Sequence, residues 1–196
     1  ARPMRELRGV AALRRRRWRL VGTRPDRRKY LIVLAPHTCN WDWPLAMLAA
    51  AGFGLRLSWL GKHTIFRWPV AGILRGMGGI PVHRDRREKV VEQVVAAYAA
   101  ADSLVVGMTP EGTRTETPYW KSGFYHMAHK AGVPIVPASI DGATHQIRLG
   151  SPIPVSGDVC QDMDALRSFY AGTAGIHPDK AGPVRLREEE APLPSA

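Results

Sequence analysis

Apolar segments of strand length alternate along this chain with segments of helical pattern, and this alternation constrains the fold more than any other feature. Residues 30–35 form the continuous apolar run Tyr-Leu-Ile-Val-Leu-Ala, which is typical of a buried strand. Two prolines in the segment 133–140 predict that this strand lies near a sheet edge or bends. Alternating strands and helices predict an α/β fold with a mainly parallel or mixed central sheet flanked by helices. The other predicted strands are 56–60, 80–83, 103–107 and 146–149, and the predicted helices are 41–51, 86–101, 122–131 and 162–171.

Positive charge is concentrated at the start of the chain. The formal net charge is +11, and residues 1–29 hold 12 of the 28 Lys and Arg side chains but only two acidic ones. A helix is predicted at 4–20 in this basic N-terminal segment, which suits an anionic membrane surface, an acidic carrier protein or nucleic acid. Residues 30–177 are predicted to form the main domain, and residues 178–196 a Pro- and Glu-rich tail that we expect to be poorly ordered.

The sequence also indicates where in the cell the protein is located. It contains no apolar run of about 18 residues and no apolar region of a signal peptide, so we expect no spanning helix and only peripheral contact with a membrane. Two cysteines, Cys39 and Cys160, provide no disulfide framework. These features favour a reducing, cytoplasmic location, at the inner face of the cell membrane.

His37 and Asp42 form the first pattern that could carry chemistry. His37 follows the predicted strand at 30–35, and Asp42 lies in the first turn of the next predicted helix, where the helix dipole favours an ionised carboxylate. A carboxylate beside an imidazole fixes the ring tautomer, and the free nitrogen can then accept a proton from a substrate hydroxyl. The alternative is a histidine at a strand end that only bonds a capping aspartate.

The sequence Glu111-Gly-Thr-Arg114 forms the second pattern. Gly112 permits a turn with exposed N–H groups, and the planar guanidinium of Arg114 suits phosphate. Arg84 and Lys121 offer further positive charge. The alternative is a surface turn with an Arg–Glu pair. The spacing of a nucleotide-binding P-loop is absent from the chain.

These patterns would meet in space if the predicted sheet is right. His37, Arg84 and Glu111 each closely follow a predicted strand, and ligand sites of such sheets lie beyond the carboxyl ends of the strands. We therefore expect the three side chains at one edge of the sheet.

Taken in order, four blocks of this sequence resemble those of the glycerolipid acyltransferase family, which includes the lysophosphatidate acyltransferases. Residues 37–42 resemble the family's H-x4-D block, and residues 78–84 resemble the block with an acceptor-binding Arg. Residues 111–114 match the EGTR block, and residues 133–137 resemble the apolar, proline-bearing fourth block. The likeness spans residues 31–150.

The resemblance implies an O-acyltransferase with His37 and Asp42 as its catalytic pair. His37 would deprotonate the hydroxyl of a phosphorylated lipid acceptor, most simply 1-acylglycerol 3-phosphate, which then attacks the thioester of acyl-CoA or an acyl carrier protein. The resemblance implies no metal and no cofactor. The acceptor would be bound by Arg84, Glu111, Gly112, Thr113, Arg114 and, from its charge, Lys121.

Several alternatives remain open at this stage. The same chemistry could act on glycerol 3-phosphate, a lyso-aminolipid or a glycolipid. Cys39 could form an acyl-thioester, although a small buried thiol is the simpler interpretation. A nucleic-acid-binding module is not expected, because the positive charge does not extend through the body of the chain. A lipid-binding protein with an inactive site, and a metal site using His126, His129 and His145, are weaker interpretations.

Overall fold

One mixed sheet of seven strands carries the fold of the residues that the structure describes. The structure is a computed structural model that describes residues 11, 13, 15, 17–82 and 87–190, without the side chains of 87 and 88. The strands are β1 (Arg19–Val21), β2 (Lys29–Leu34), β3 (Leu57–Lys62), β4 (Gly79–Val82), β5 (Leu104–Met108), β6 (Ile135–Asp141) and β7 (Gln146–Leu149). The helices are α1 (Asp42–Gly52), α2 (Ala71–Gly76), α3 (Arg87–Ala100), α4 (Gly123–Ala131) and α5 (Val159–Tyr170), with 3-10 turns at His63–Ile65, Pro178–Lys180 and Arg187–Glu190.

The strand order β1-β7-β6-β2-β5-β3-β4 confirms the predicted α/β class. All neighbouring pairs are parallel except β6 and β7, which are antiparallel. Helices α3, α4 and α5 pack on one face of the sheet, and α1 packs on the other. Strand β2 lies between these layers, with Leu31 and Val33 in one core and Tyr30 and Ile32 in the other. Because both of its faces are buried, β2 needs a continuous apolar sequence rather than an alternating one.

The proline-bearing strand lies inside the sheet, so the prediction of an edge position is wrong. All seven residues of β6 are buried, and the strand pairs with β2 and β7. The carbonyl of Pro137 accepts a hydrogen bond of 2.8 Å from the N–H of Gly150, one residue beyond β7. The nitrogen of a strand residue faces the same side as its carbonyl. The missing N–H of Pro137 therefore faces Gly150, just beyond the end of β7, so the only bond lost is at the end of the ladder.

Strand β1 corrects part of the prediction for the N-terminal segment. Residues 19 and 20, which the sequence assigns to a helix, form part of β1 and pair in parallel with β7. Leu13 is buried against α1 and the strands beneath it. Residues 1–10, 12, 14 and 16 of the predicted basic segment lie outside the described residues.

The C-terminal segment is packed as far as residue 190, so the expectation of poor order is wrong for residues 178–190. Leu186 is fully buried, and the carbonyl of Arg185 accepts a bond of 2.8 Å from the N–H of Trp120. Glu189 forms an ion pair of 2.6 Å with Arg167 of α5. One apolar anchor and these polar contacts order a segment whose composition alone suggests a loose tail.

The longest helix in the described part of the chain is α3, with 14 residues. None of the helices that the structure describes is both long and apolar enough to cross a membrane.

Candidate active site

The loops that follow β2 and β5 meet at the carboxyl edge of the sheet. The two strands are parallel neighbours, with Val33 opposite Met108. His37 and Glu111 each lie three residues beyond the end of their strand. The structure therefore brings these two side chains to one edge, as expected from the sequence. Arg84, which follows β4, lies outside the described residues.

His37 and Asp42 form a hydrogen-bonded pair. The ring nitrogen Nδ1 of His37 lies 2.9 Å from Oδ2 of Asp42, which is the buried first residue of α1. The same oxygen accepts the backbone N–H of Thr38 at 2.8 Å and that of Cys39 at 3.0 Å. Because Nδ1 is held by the carboxylate, Nε2 is the nitrogen left for a substrate. The five-residue spacing thus produces the predicted pair through one tight turn before α1.

The environment of Asp42 keeps its carboxylate ionised. Burial by itself would raise the pKa of Asp42, but the hydrogen bond with His37 and the N–H groups of Cys39 and Thr38 outweigh it. The pKa of Asp42 is therefore lowered from its ordinary value. A fixed negative charge behind the ring stabilises the imidazolium that forms when His37 accepts a proton.

Glu111 contacts the backbone of His37 rather than Arg114. Its Oε1 accepts the N–H of His37 at 3.0 Å, and its Oε2 is buried with no hydrogen-bond partner among the described residues. Burial raises the pKa of Glu111 despite the lowering effect of its backbone hydrogen bonds. The sequence placed Glu111 among the acceptor-binding residues and did not predict this contact. Its visible role is to hold the chain segment that carries His37.

Arg114 and Lys121 extend the site on the side of the Glu111 loop. A guanidinium nitrogen of Arg114 donates to the side-chain oxygen of Asn40, three residues after His37. Gly112 has a positive φ of 66°, and a Cβ there would clash with the ammonium end of Lys121. The positive φ therefore favours glycine at this turn, whereas the flexible end of the lysine could move aside. Thr113 bonds the hydroxyl of Thr115 at 3.0 Å.

A cavity of about 1000 Å³ opens over these residues. His37, Asp42, Gly112, Thr113, Arg114 and Lys121 all line it. Its cationic side chains also include Lys130 of α4 and Arg148 of β7. Its apolar wall is provided mainly by α1 and by the strands that α1 covers, through residues such as Trp43, Met47, Leu57 and Trp59. One cavity thus combines a base, several cations and a long apolar wall.

Sequence reasoning missed Lys130, Arg148 and the apolar wall. Lys130 lies four residues after His126, so the two share one face of α4, and both line the cavity. The four-residue spacing can be seen in the sequence, and α4 follows the Glu111 loop closely. No motif, however, marks Lys130 as a residue of the site. Arg148 lies on β7 and reaches the cavity only through the order of strands in the sheet.

The Cys39 thiol donates to Oδ1 of Asp42, and its surroundings do not favour a nucleophile. Burial raises the pKa of the Cys39 thiol, and the nearby Asp42 carboxylate raises it further. A thiol with a raised pKa is a poor nucleophile. Tyr125 has ring contacts with His126 and with His129, whereas His145 lies against Trp18. No group of three metal-ligating side chains occurs among the described residues.

Comparisons with known proteins identify a family and two relatives that this chain resembles. The sequence model of the family described as Acyltransferase matches residues 17–141, a range that contains both patterns. A protein of Haemophilus influenzae named 1-acyl-sn-glycerol-3-phosphate acyltransferase is 32% identical over 129 residues, covering 56% of this chain and 53% of that protein. A protein of the same name from Salmonella typhimurium is 29% identical over 126 residues, covering 60% and 49% respectively. The chain spans about half the length of these curated relatives.

One solved structure shares the fold. The crystal structure of the 1-acyl-sn-glycerophosphate (LPA) acyltransferase PlsC from Thermotoga maritima matches with a TM-score of 0.58 and 17% sequence identity. The match covers 85% of this chain and 77% of that one. The sheet and its flanking helices are therefore an architecture already seen in another protein.

Proposed function

Because this chain belongs to the acyltransferase family, we propose that it moves a fatty acyl group from a thioester donor to the free hydroxyl of a lysophospholipid, most simply 1-acylglycerol 3-phosphate. The relatives from Haemophilus influenzae and Salmonella typhimurium bear the name of that activity. The acceptor, the donor and the roles of the residues below are parts of the proposal.

The observation that carries this proposal is the placement of a base and two cations on one cavity. His37, with Asp42 behind its ring, lines the same cavity as Arg114 and Lys121. A phosphorylated acceptor needs this combination, because its phosphate must be bound while its hydroxyl faces the base. Arg114 and Lys121 would bind the phosphate, and Arg84, which lies beyond β4, would add a third cation.

The chain's residues would act in the following order. Nε2 of His37 accepts the proton of the acceptor hydroxyl, and the oxygen attacks the carbonyl carbon of the thioester. The carbon–sulfur bond then breaks, and the leaving thiolate takes a proton from the His37 imidazolium. Asp42 stabilises the imidazolium between these steps. Glu111 positions His37 by accepting its backbone N–H, and the oriented acceptor supplies much of the rate advantage.

The apolar wall of the cavity suits an acyl chain. It runs beneath α1 and includes Met47, Phe53 and Leu57, while Arg114, Lys121 and Lys130 lie on the side of the Glu111 loop and α4. This division supports a lipid substrate whose phosphate and hydrocarbon bind at different ends. The wall suits the acyl chain of the donor as well as that of a lysolipid acceptor.

The donor and the membrane complete the proposal. Acyl-CoA and an acyl carrier protein both present a thioester with a phosphate nearby, which suits the cationic end of the cavity. The excess of Lys and Arg in residues 1–29 suits the anionic inner face of a cell membrane.

The test is thiol release from acyl-CoA by the full chain, measured with a panel of hydroxyl acceptors. We expect release with lysophosphatidate and little with glycerol 3-phosphate or an uncharged lysolipid. His37→Ala should abolish release without loss of fold, and His129→Ala, an exposed histidine of α4, should match the wild type.

Two outcomes would contradict the proposal. Near-normal turnover by a folded His37→Ala variant would exclude His37 as the base. Equal rates with phosphorylated and uncharged acceptors would exclude a phosphate-binding role for the cations.

A further inference from the structure

The connection between β3 and β4, residues 63–78, exposes apolar side chains and buries none. We call these residues the crossover segment. It contains one 3-10 turn and the six-residue helix α2, and each of its residues is half-buried or exposed. Trp68 is 92% exposed and Ile73 is 65% exposed. A crossover that covers a sheet normally buries an apolar stripe, so this one is unusual.

Exposed apolar side chains are concentrated in one part of the described chain. Among the described residues eight large apolar side chains are exposed, and all but Val21 belong to the crossover segment or to the start of α1. Soluble proteins rarely leave large apolar groups clustered in this way without a partner. The seven are Trp41, Trp43, Ile65, Trp68, Val70, Ile73 and Met77.

The charge of this region has a single sign. The sequence contains no Asp or Glu from residue 43 to residue 82. Arg56, Lys62, Arg67 and Arg75 occur in the same stretch, and all four are exposed. Tryptophan and basic residues around apolar groups are the composition of segments that lie at an anionic lipid surface. A second copy of the same face would repel this one.

Aromatic contacts connect the crossover segment with the cavity. The ring of Phe66 stacks on Trp59 with centroids 6.0 Å apart, and Trp59 meets Trp43 edge to face at 6.1 Å. Trp43 and Trp59 both line the cavity. The indole N–H of Trp59 also donates to the carbonyl of Met77 at 3.1 Å. The exposed apolar surface is therefore continuous with the apolar side of the cavity.

We propose that the crossover segment, together with Trp41 and Trp43, is the face that lies on an anionic lipid surface. Trp68 and Ile73 enter the region between headgroups and acyl chains, while Arg67 and Arg75 contact lipid phosphates. A lysolipid acceptor then reaches the cavity past Trp43 without crossing water. This last step rests on the proposed function, whereas the contact with lipid does not.

The experiment compares full-length variants by flotation with phosphatidylcholine vesicles, with and without phosphatidylglycerol. Wild type should float with the anionic vesicles. Trp68→Ser combined with Ile73→Ser should weaken that binding about tenfold, because two exposed apolar anchors are lost. Gln161→Ser is the control: Gln161 is exposed in the first turn of α5, outside both the crossover segment and residues 1–29. It should bind like the wild type.

Activity measurements separate this inference from the proposed function. The double variant should keep its rate with a short-chain lysophosphatidate dissolved as monomers and lose rate with the same headgroup embedded in vesicles. Arg67→Gln with Arg75→Gln should remove much of the preference for anionic vesicles. If neither the wild type nor any variant is active but the double variant still loses vesicle binding, the lipid-binding face is supported and the proposed function is refuted.

Three results would overturn the inference. One is unchanged vesicle binding by the folded double variant. Another is a change from dimer to monomer on serine substitution, which would identify the face as a contact between copies. The third is loss of rate only with a carrier-protein donor, which would identify a protein partner instead.

Discussion

Replacement of Asp42 by asparagine removes one charge from the site and leaves the shape of the side chain almost unchanged. Oδ2 of Asp42 accepts hydrogen bonds from His37, Thr38 and Cys39 at 2.8–3.0 Å. An amide oxygen in the same position can accept the same three bonds. Asp42→Asn therefore tests the charge of the carboxylate rather than its geometry.

The expected effect on rate follows from the loss of attraction to the His37 imidazolium. Asp42 is buried, so water screens the pair weakly. Two unit charges with centres about 4 Å apart attract by about 4 kcal/mol at an effective dielectric constant of 20. A barrier raised by this amount lowers kcat about 10³-fold. Because Asp42 acts through His37, the KM of the acceptor should change little.

The assay is thiol release from acyl-CoA at saturating lysophosphatidate, with thermal unfolding followed by circular dichroism. Asp164→Asn provides the control for removal of a carboxylate, since Asp164 is exposed and paired with Arg167 away from the site. A folded Asp42→Asn enzyme with kcat within tenfold of the wild type would refute the argument from charge.

Two further predictions concern the loop after β5. Arg114→Ala should raise the KM of a phosphorylated acceptor about tenfold or more, because a hydrogen bond to a charged group is worth about 1.5–3 kcal/mol. It should leave the KM of the donor unchanged. Equal shifts in KM for both substrates would contradict the role of Arg114. Glu111→Gln should flatten the dependence of stability on pH. Burial raises the pKa of Glu111, so the native state keeps a proton that the unfolded chain releases. The stability of the wild type therefore falls as pH rises from the ordinary glutamate pKa through the raised one. Glutamine can still accept the His37 N–H, and melting temperatures across this pH range should show the fall in the wild type only; parallel profiles would argue against it.

Local sequence patterns were sufficient to predict the class of the fold and the contact between His37 and Asp42. The apolar run at 30–35 matches β2, and the helical pattern at 122–131 matches α4, which ends where Gly132 adopts a φ of 63°. The close spacing of His37 and Asp42 makes their contact almost independent of the rest of the chain. Such features follow from residue period, turn chemistry and short-range geometry.

Composition misled the prediction where one long-range contact outweighs it. Pro137 suggested an edge strand, yet β6 is buried between β2 and β7, and the N–H that Pro137 lacks faces Gly150, just beyond the end of β7. The residues after 178 suggested disorder, yet Leu186 is anchored in the core. In both cases the deciding partner is distant in sequence, and no local pattern describes it.

By itself, the sequence determined that strands and helices alternate, that a histidine and an aspartate meet across one turn, and that an acidic and a basic residue share the loop after β5. The tertiary structure alone decided that Glu111 holds the backbone of His37, that Arg114 reaches Asn40, and that the apolar residues of the crossover segment face outward. The physical reason is that periodicity and turn geometry act between near neighbours, whereas these contacts depend on the order of strands in the sheet. In the sequence, an apolar residue of the core cannot be distinguished from one that contacts a surface outside the protein. Only the packing in the tertiary structure distinguishes the two.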